Sequence, residues 1–243
     1  MNFNDFKALL IENFQKNHLD QYTQDQHISL FYDLTNIMLE KNQVMNITAI
    51  RDIEKIIPLH YADCLKIAEY IPKKSNVIDV GCGGGFPTLP LAIIRPDIHI
   101  LAVDSTEKKI KYVAETAKTL NLHNVSTVSA RAEELINLPN MRESFDIVVS
   151  RAVARLCVLD ELCMPFIKIG GRFIVMKGAA GQEELDEAKN GVEKLGGKVI
   201  SMIQDELSVV NESEQRVLFI IEKTNVTPIQ YPRQFGQIKK KPL

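Results

Sequence analysis

A chain of 243 residues, 45% hydrophobic and 25% charged, has the composition of an ordinary folded protein, which excludes disordered, collagen-like and repeat architectures. Its 29 basic and 31 acidic residues leave a net charge of −2, so no general positive field holds nucleic acid and any such contact must be local. No apolar run approaches the roughly 20 residues of a membrane span, and Met1-Asn2-Phe3-Asn4-Asp5 lacks the basic start of a secretion signal, so a cytoplasmic protein without membrane contact is expected.

The first 72 residues read as helices. Phe3, Phe6, Leu9, Leu10 and Phe14 recur at three- and four-residue steps and share a face. Thr23-x-x-Gln26 has the form of a capping box, opening a helix whose Ile28, Phe31, Leu34, Ile37 and Met38 lie on one side. A third helix carries Ile53, Ile56, Ile57, His60, Cys64, Leu65 and Ala68 as its apolar stripe, with a kink or late start at Pro58.

From Asn76 onward short β-branched runs alternate with helical stretches, the pattern of βαβ units and a parallel sheet. The predicted strands are Val77–Val80, His99–Val103, Val125–Ser129, Asp146–Ser150, Arg172–Lys177, Lys198–Ser208 and Arg216–Glu222. The last two are joined by Asn211-Glu212-Ser213-Glu214, which predicts a terminal antiparallel hairpin on an otherwise parallel seven-stranded sheet. The expected division is a helical N-terminal extension over 1–72 and an α/β domain over 73–243. The tail from Tyr231 to Leu243 is basic and holds no acidic residue.

Strand Val77-Ile78-Asp79-Val80 runs into Gly81-Cys82-Gly83-Gly84-Gly85-Phe86-Pro87, with Pro87 placed for the first turn of a helix. Glycines let the backbone approach a flat polar ligand, and the helix start offers free N–H groups. A tight strand-to-helix turn is the simpler explanation. Two features favour S-adenosylmethionine over a dinucleotide: Phe86 stands where a third dinucleotide glycine would be, and Asp79 sits in the strand two residues before the loop. Asp104 closes the second strand 23 residues beyond Gly81, where an acid reaches a ribose diol, although Asp104 also suits the start of a helix. Ala132 and Glu133 follow the third strand, where adenine would rest, and a first-turn helix acid explains Glu133 as well.

Cys64, Cys82, Cys157 and Cys163 form no C-x-x-C pair and no disulfide framework, and the five histidines fall in no metal-binding spacing, so neither a disulfide nor a metal is expected.

Asp79-Val80-Gly81-x-Gly83-x-Gly85-Phe86-Pro87, Val103-Asp104-Ser105 with Lys108-Lys109, Ser150-Arg151-Ala152-Val153-Ala154 and Tyr231-Pro232-Arg233 together resemble the bacterial 16S ribosomal RNA guanine-N7 methyltransferase G family, also called glucose-inhibited division protein B. The likeness extends to Asn42-x-x-x-Asn46-Ile47-Thr48-Ala49 and His60-x-x-Asp63. It implies a class I, Rossmann-like methyltransferase fold, S-adenosyl-L-methionine as donor, and a guanine N7 in the 530-loop region of 16S ribosomal RNA, free or in the small ribosomal subunit, as acceptor. By motif it makes Gly81, Phe86, Ala132, Glu133 and Arg151 donor-site residues. Thr88-Leu89-Pro90 departs from the Gly-Ile-Pro more usual in the family, and Gln234-Phe235-Gly236 from its usual tail.

Guanine N7 carries a lone pair and no proton, so its methylation needs positioning rather than a general base. The sequence lacks the Asn/Asp-Pro-Pro-aromatic run expected of an exocyclic-amine methyltransferase, and Cys163 reads as a buried helix thiol rather than a nucleophile. Arg151, the candidate catalytic residue, and Arg155 follow the fourth strand, where an arginine fork can hold guanine O6 or a phosphate. Asn42, Asn46 and Thr48 suit local capping ahead of a role facing the RNA, and His60 and Asp63 share a helix side as a surface or core pair or as a catalytic one. Lys108, Lys109, Lys111, Arg131, Lys177, Arg233 and Lys239 to Lys241 are candidates for a local basic face. The other readings are a methyltransferase acting on a small molecule or protein, and a non-catalytic RNA-binding module.

Overall fold

The computed structural model describes residues 1–151 and 154–243, so Ala152 and Val153 of the predicted Ser150–Ala154 motif lie outside the described residues. Helices α1 (Phe3–Lys16) and α2 (Asp25–Lys41) precede a short helix α3 (Ile53–Ile56), which continues through a π-helical stretch (Ile57–Ala62) into a last turn, α4 (Asp63–Leu65). Alternation follows: β1 (Asn76–Val80), α5 (Thr88–Ile94), β2 (His99–Asp104), α6 (Glu107–Thr119), β3 (Val125–Ser129), α7 (Ala132–Leu135), β4 (Phe145–Arg151), α8 (Leu156–Cys163), β5 (Ile167–Lys177) and α9 (Gly181–Lys194). The hairpin β6 (Gly197–Val209) and β7 (Glu212–Lys223) and a terminal helix α10 (Phe235–Lys240) complete the chain.

The strands form one seven-stranded sheet in the order β3-β2-β1-β4-β5-β7-β6. Strands β1 to β5 are parallel, and β7 is antiparallel to both β5 and β6. The chain moves outward in one direction from β1 to β3 and in the other from β4, so the order reverses between β1 and β4. Crevices at the carboxyl ends of such strands are where open α/β sheets hold ligands.

A core lies on each face of the sheet. On one, Phe6, Phe14, Phe31 and Tyr61 of the N-terminal segment pack in the same cluster as Val77, Ile100, Ile147 and Ile174. The helical extension therefore shares its apolar interior with the sheet. On the other face α8 and α9 close over Val148, Phe173 and Phe219.

Several local expectations are corrected. Thr23 does not cap α2: its hydroxyl donates back to the Asp20 carbonyl at 2.7 Å, and Gln24 stands at the cap position. Pro58 neither stops nor delays its helix but sits inside the π-helical stretch. Pro87 is the N-cap of α5 rather than its first residue. Strand β5 starts at Ile167, ahead of the predicted Arg172, because Lys168 to Gly171 form an irregularity between the Phe145–Ile167 and Ile147–Arg172 pairs. The hairpin is tighter than predicted: Glu212, Ser213 and Glu214 belong to β7, and only Val210 and Asn211 turn the chain. The tail folds back, with Arg233 paired to the fully buried Glu161 of α8 and Arg142 donating to the Tyr231 carbonyl.

Candidate functional site

The loop after β1 is built to leave space. Gly81 and Cys82 both donate their N–H to the Val103 carbonyl, at 2.8 and 2.9 Å, which folds the loop across the end of β2. A Cβ on Gly83 would meet no protein atom within 4 Å, so a side chain there would project into the crevice. Gly85 is needed for the turn itself, having φ +87° and a neighbour, Leu89 Cδ1, only 2.6 Å from where a Cβ would sit.

The two acidic residues brace this loop. Asp104 accepts from the Gly83 N–H at 3.0 Å and from the Thr106 N–H at 2.8 Å. Asp79 is fully buried, and its Oδ2 accepts from the Thr88 hydroxyl at 2.6 Å and the Thr88 N–H at 3.2 Å. Thr88, where relatives were expected to carry glycine, thus ties α5 to β1. Asp79 Oδ1 has no partner among the described residues, and burial pushes the carboxyl up to about 7.

Above the loop, Arg151 at the end of β4 is held by the N-terminal segment. Its Nη1 donates to the Leu59 carbonyl at 2.8 Å and to Asp63 Oδ2 at 3.0 Å, and its Nη2 lies 3.2 Å from His60 Nδ1. The other oxygen of Asp63 accepts from Arg216 Nε of β7 at 2.8 Å. The His60 ring stacks on Phe86 with centroids 4.4 Å apart, and the guanidinium carbon of Arg151 lies 5.7 Å from the same Phe86 ring. The π-helical backbone places Leu59, His60 and Asp63 around one guanidinium, a convergence their spacing does not announce.

His60 is further fixed by Thr48, whose Oγ1 is 2.7 Å from His60 Nε2. Asn42 anchors that segment, accepting from the Ile47 and Thr48 N–H groups at 2.9 and 3.1 Å and donating to the Thr48 carbonyl at 2.9 Å. Capping is therefore the role the structure shows for Asn42. Burial, with the neighbouring Arg151 charge, pushes His60 down to about 3, so it is neutral at physiological pH. With Arg151 donating to Nδ1, the neutral ring carries its proton on Nε2 and donates to Thr48.

A crevice of about 300 Å³ opens over the loop. Of the residues singled out in the sequence, Gly81, Gly83, Phe86, Asp104 and Arg151 line it. Asp79 and Gly85 are not among its lining residues but shape the loop from behind. Ala132 and the mostly buried Glu133 lie at the start of α7, also outside the lining. Ile47, Thr48, His60 and Lys109 line the crevice without having been assigned to a donor site. The cysteine on the loop, Cys82, is buried and its thiol is pushed up by that burial, as is the fully buried Cys163.

The proposed basic face is reduced by ion pairing. Lys177 is buried against Glu184 at 2.8 Å and also donates to the Ala154 carbonyl. Arg233 is taken by Glu161, and Lys111 pairs with Glu107 at 2.7 Å. Lys108, Arg131 and Lys239 to Lys241 remain exposed.

Residues 27–213 match the family model described as rRNA small subunit methyltransferase G. The ribosomal RNA small subunit methyltransferase G of Clostridium tetani is 43% identical over 216 residues, covering 88% of this chain and 89% of the relative. The protein of the same name from Staphylococcus carnosus is 42% identical over 223 residues, covering 90% and 91%. Among solved structures, M. jannaschii TYW2 in complex with AdoMet aligns with a TM-score of 0.55 at 18% identity, over 68% of this chain and 76% of that one. A SAM-dependent O-methyltransferase from Thermotoga maritima aligns at 0.53 and 16% identity, over 79% and 72%. These two likenesses are of fold.

Proposed function

The chain belongs to the rRNA small subunit methyltransferase G family, and from that membership we propose that it methylates N7 of a guanine in the 530-loop region of 16S ribosomal RNA, using S-adenosyl-L-methionine. In this reading residues 1–72 are an extension that completes the site carried by residues 73–243.

The residues present fit that donor. Gly83 leaves open the space a Cβ would fill, and the loop backbone with Gly81, Phe86 and Asp104 offers a polar floor beside an aromatic wall. The orphaned Asp79 Oδ1 leaves a buried polar atom behind the loop without a partner among the described residues. Gly81, Gly83 and Phe86 would hold the methionine portion and Asp104 the ribose, with Gly85 and Asp79 setting the loop's shape. Ala132 and Glu133 would bound the adenine. When bound, the donor supplies a sulfonium methyl that a nucleophile displaces, the electron pair of the broken C–S bond passing to sulfur.

The protein's part is to hold and to exclude. Arg151 presents fixed positive charge at the wall of the crevice, oriented by Asp63, His60 and the Leu59 carbonyl. Guanine N7 uses its own lone pair, so no proton has to leave. The observation that carries this reading is that both proton acceptors beside Arg151 are already engaged. His60 is neutral and bonded through both ring nitrogens, and each oxygen of Asp63 accepts from an arginine. An amine acceptor, which must lose a proton, finds no free base in either residue.

Ser150, which precedes Arg151 where an amine-methylating enzyme would show its Asn/Asp-Pro-Pro run, donates its hydroxyl to the Val80 carbonyl at 2.9 Å and so joins β4 to β1. Radiolabelled methyl transfer to 16S ribosomal RNA from a strain lacking the enzyme, followed by reductive cleavage at N7-methylguanine, tests the proposal. A strand break at one 530-loop guanine is expected; label on another atom overturns the N7 assignment.

A further inference from the structure

The crevice over the glycine loop lies at the carboxyl ends of the parallel strands. A smaller one of about 200 Å³ opens at their amino ends, where the residues entering β1 meet the first residues of β4 and the irregular stretch of β5. Lys73, Lys74, Lys168 and Arg172 line it against a single carboxylate, Asp146. Asp146 is already engaged: one oxygen pairs with Lys168 and the other accepts from the Asn76 N–H at 2.8 Å.

The neighbouring acids do not cancel this charge. Asp97, which accepts from the Lys74 N–H, is held by the Arg95 guanidinium at 2.7 and 2.9 Å. Glu222 of β7 stands opposite Arg172 on one side and Lys198 of β6 on the other. Among the described residues the ion pairs at this end of the sheet are Arg95–Asp97 and Lys168–Asp146, and neither takes up Lys73, Lys74 or Arg172. With these neighbours included the positive surplus is still three, in a chain whose net charge is −2. Around the glycine loop, by contrast, ion pairing has removed much of the basic face expected from the sequence.

The lining also says which anion suits it. It contains no aromatic ring, and the Ser75 hydroxyl is turned to the Pro72 carbonyl at 2.8 Å. Bases are held by stacking and by polar groups that read their edges, whereas lysines and an arginine without either hold phosphate. Gly170 is exposed at the rim, and a Cβ there would meet no protein atom within 4 Å, so a second backbone can pass close. Resting on the ribosomal RNA methyltransferase reading above, we propose that this amino-end crevice is a second RNA-docking surface, which holds backbone phosphates of the small-subunit RNA away from the methylated guanine. Phosphate contacts set orientation without reading sequence. The surface therefore orients the RNA while the donor crevice selects the base.

Two variants test it from different elements. Lys73→Gln with Lys74→Asn removes two exposed charges, and asparagine tolerates the left-handed backbone of Lys74, whose φ is +62°. Arg172→Gln removes a third charge, from β5. Full-length variants are titrated with small ribosomal subunits from a strain lacking the enzyme at a series of salt concentrations. Methyl transfer, donor affinity by calorimetry and thermal unfolding are measured alongside.

Each phosphate contact adds about 0.7–0.9 to the slope of log affinity against log salt concentration. The double variant is expected to lose about 1.5 from that slope and Arg172→Gln about 0.8, with KM for subunits raised about tenfold and about threefold. The kcat at saturating subunits, donor affinity and Tm should stay at wild-type values. Photo-crosslinking from Lys73→Cys identifies the occupant, since the four native cysteines are buried: crosslinks to RNA are expected, and crosslinks confined to ribosomal protein overturn the RNA assignment. Normal methyl transfer with unchanged salt slopes overturns the crevice assignment alone, whereas absence of transfer by the wild type overturns the acceptor reading and this proposal with it.

Discussion

Asp63 is mostly buried, and the groups it serves lie 88 and 153 residues away along the chain. Removing one partner of a buried ion pair leaves the other charge uncompensated, typically at a cost of about 3–5 kcal/mol. Asp63→Ala strands the Arg151 guanidinium and leaves Arg216 only Glu214, whereas Arg151→Ala leaves Asp63 with Arg216. Asp63→Ala should therefore lose stability in that range and Arg151→Ala less, as urea unfolding will show. Arg151→Ala is nonetheless expected to abolish methyl transfer, and near-normal turnover would remove Arg151 from the site. Gly81, Gly83, Phe86, Asp104 and Arg151 were legible in the sequence because a glycine loop and a strand end are contiguous signals. Thr48 and His60 were not assigned to the crevice, since they reach it from another part of the chain and only the π-helical turn and the Asn42 cap aim them. Asp104 accepts from two local N–H groups and faces the crevice, but Thr106 holds the cap position of α6, so Asp104 does not cap that helix.

At the level of elements, the β-branched runs located every strand, most plainly in β1 and β4, whose burial on both faces of a parallel sheet needs such residues. What escaped depended on contacts between elements. Gly170 and Gly171 resemble a break in the chain, yet a Cβ on Gly171 would lie only 2.6 Å from the Asp146 carbonyl oxygen. Gly171 is there because β4 passes close by and Gly170 because its φ of +82° suits glycine, and both belong to β5. Gly191 in α9 presents the same logic. Exchanging glycine for alanine within a helix normally gains about 1 kcal/mol, but here the added methyl would strike the Asp160 carboxylate and come within 3.2 Å of the Leu243 Cβ. Gly191→Ala should instead destabilise by roughly 1–3 kcal/mol, seen as a lower denaturation midpoint with an unchanged slope.

Across the whole molecule, buried ionisable groups set how stability responds to pH. Burial pushes the carboxyls of Asp79 and Asp160 up to about 7 and about 8. Both keep a proton in the folded state that the unfolded chain releases near pH 4, so their contribution is full below that point and lost as pH rises toward 8. His60 acts from the other side: held down to about 3, it favours the fold above pH 6.5 and ceases to as pH falls toward 3. Between pH 5 and 7, Asp160→Asn should flatten the decline by roughly 1.4 kcal/mol per pH unit, measured by urea unfolding at a series of pH values. The tail adds a further dependence. Arg233→Ala leaves Glu161 buried without its cation and should destabilise by about 3 kcal/mol while sparing donor affinity. The basic tail suggested RNA contact in the sequence; Arg233 turned inward because the acid it pairs with lies on α8, which residue order does not reveal.

The carboxylate that joins Arg151 to Arg216 also dictates a sequence of events during synthesis. The N-terminal acid and the β4 guanidinium leave the ribosome well before the hairpin that bears the second guanidinium. A nascent polypeptide halted ahead of β7 carries the entire glycine loop and every group that touches Arg151, yet one oxygen of that carboxylate still awaits its guanidinium, so the brace is complete only when translation has nearly finished.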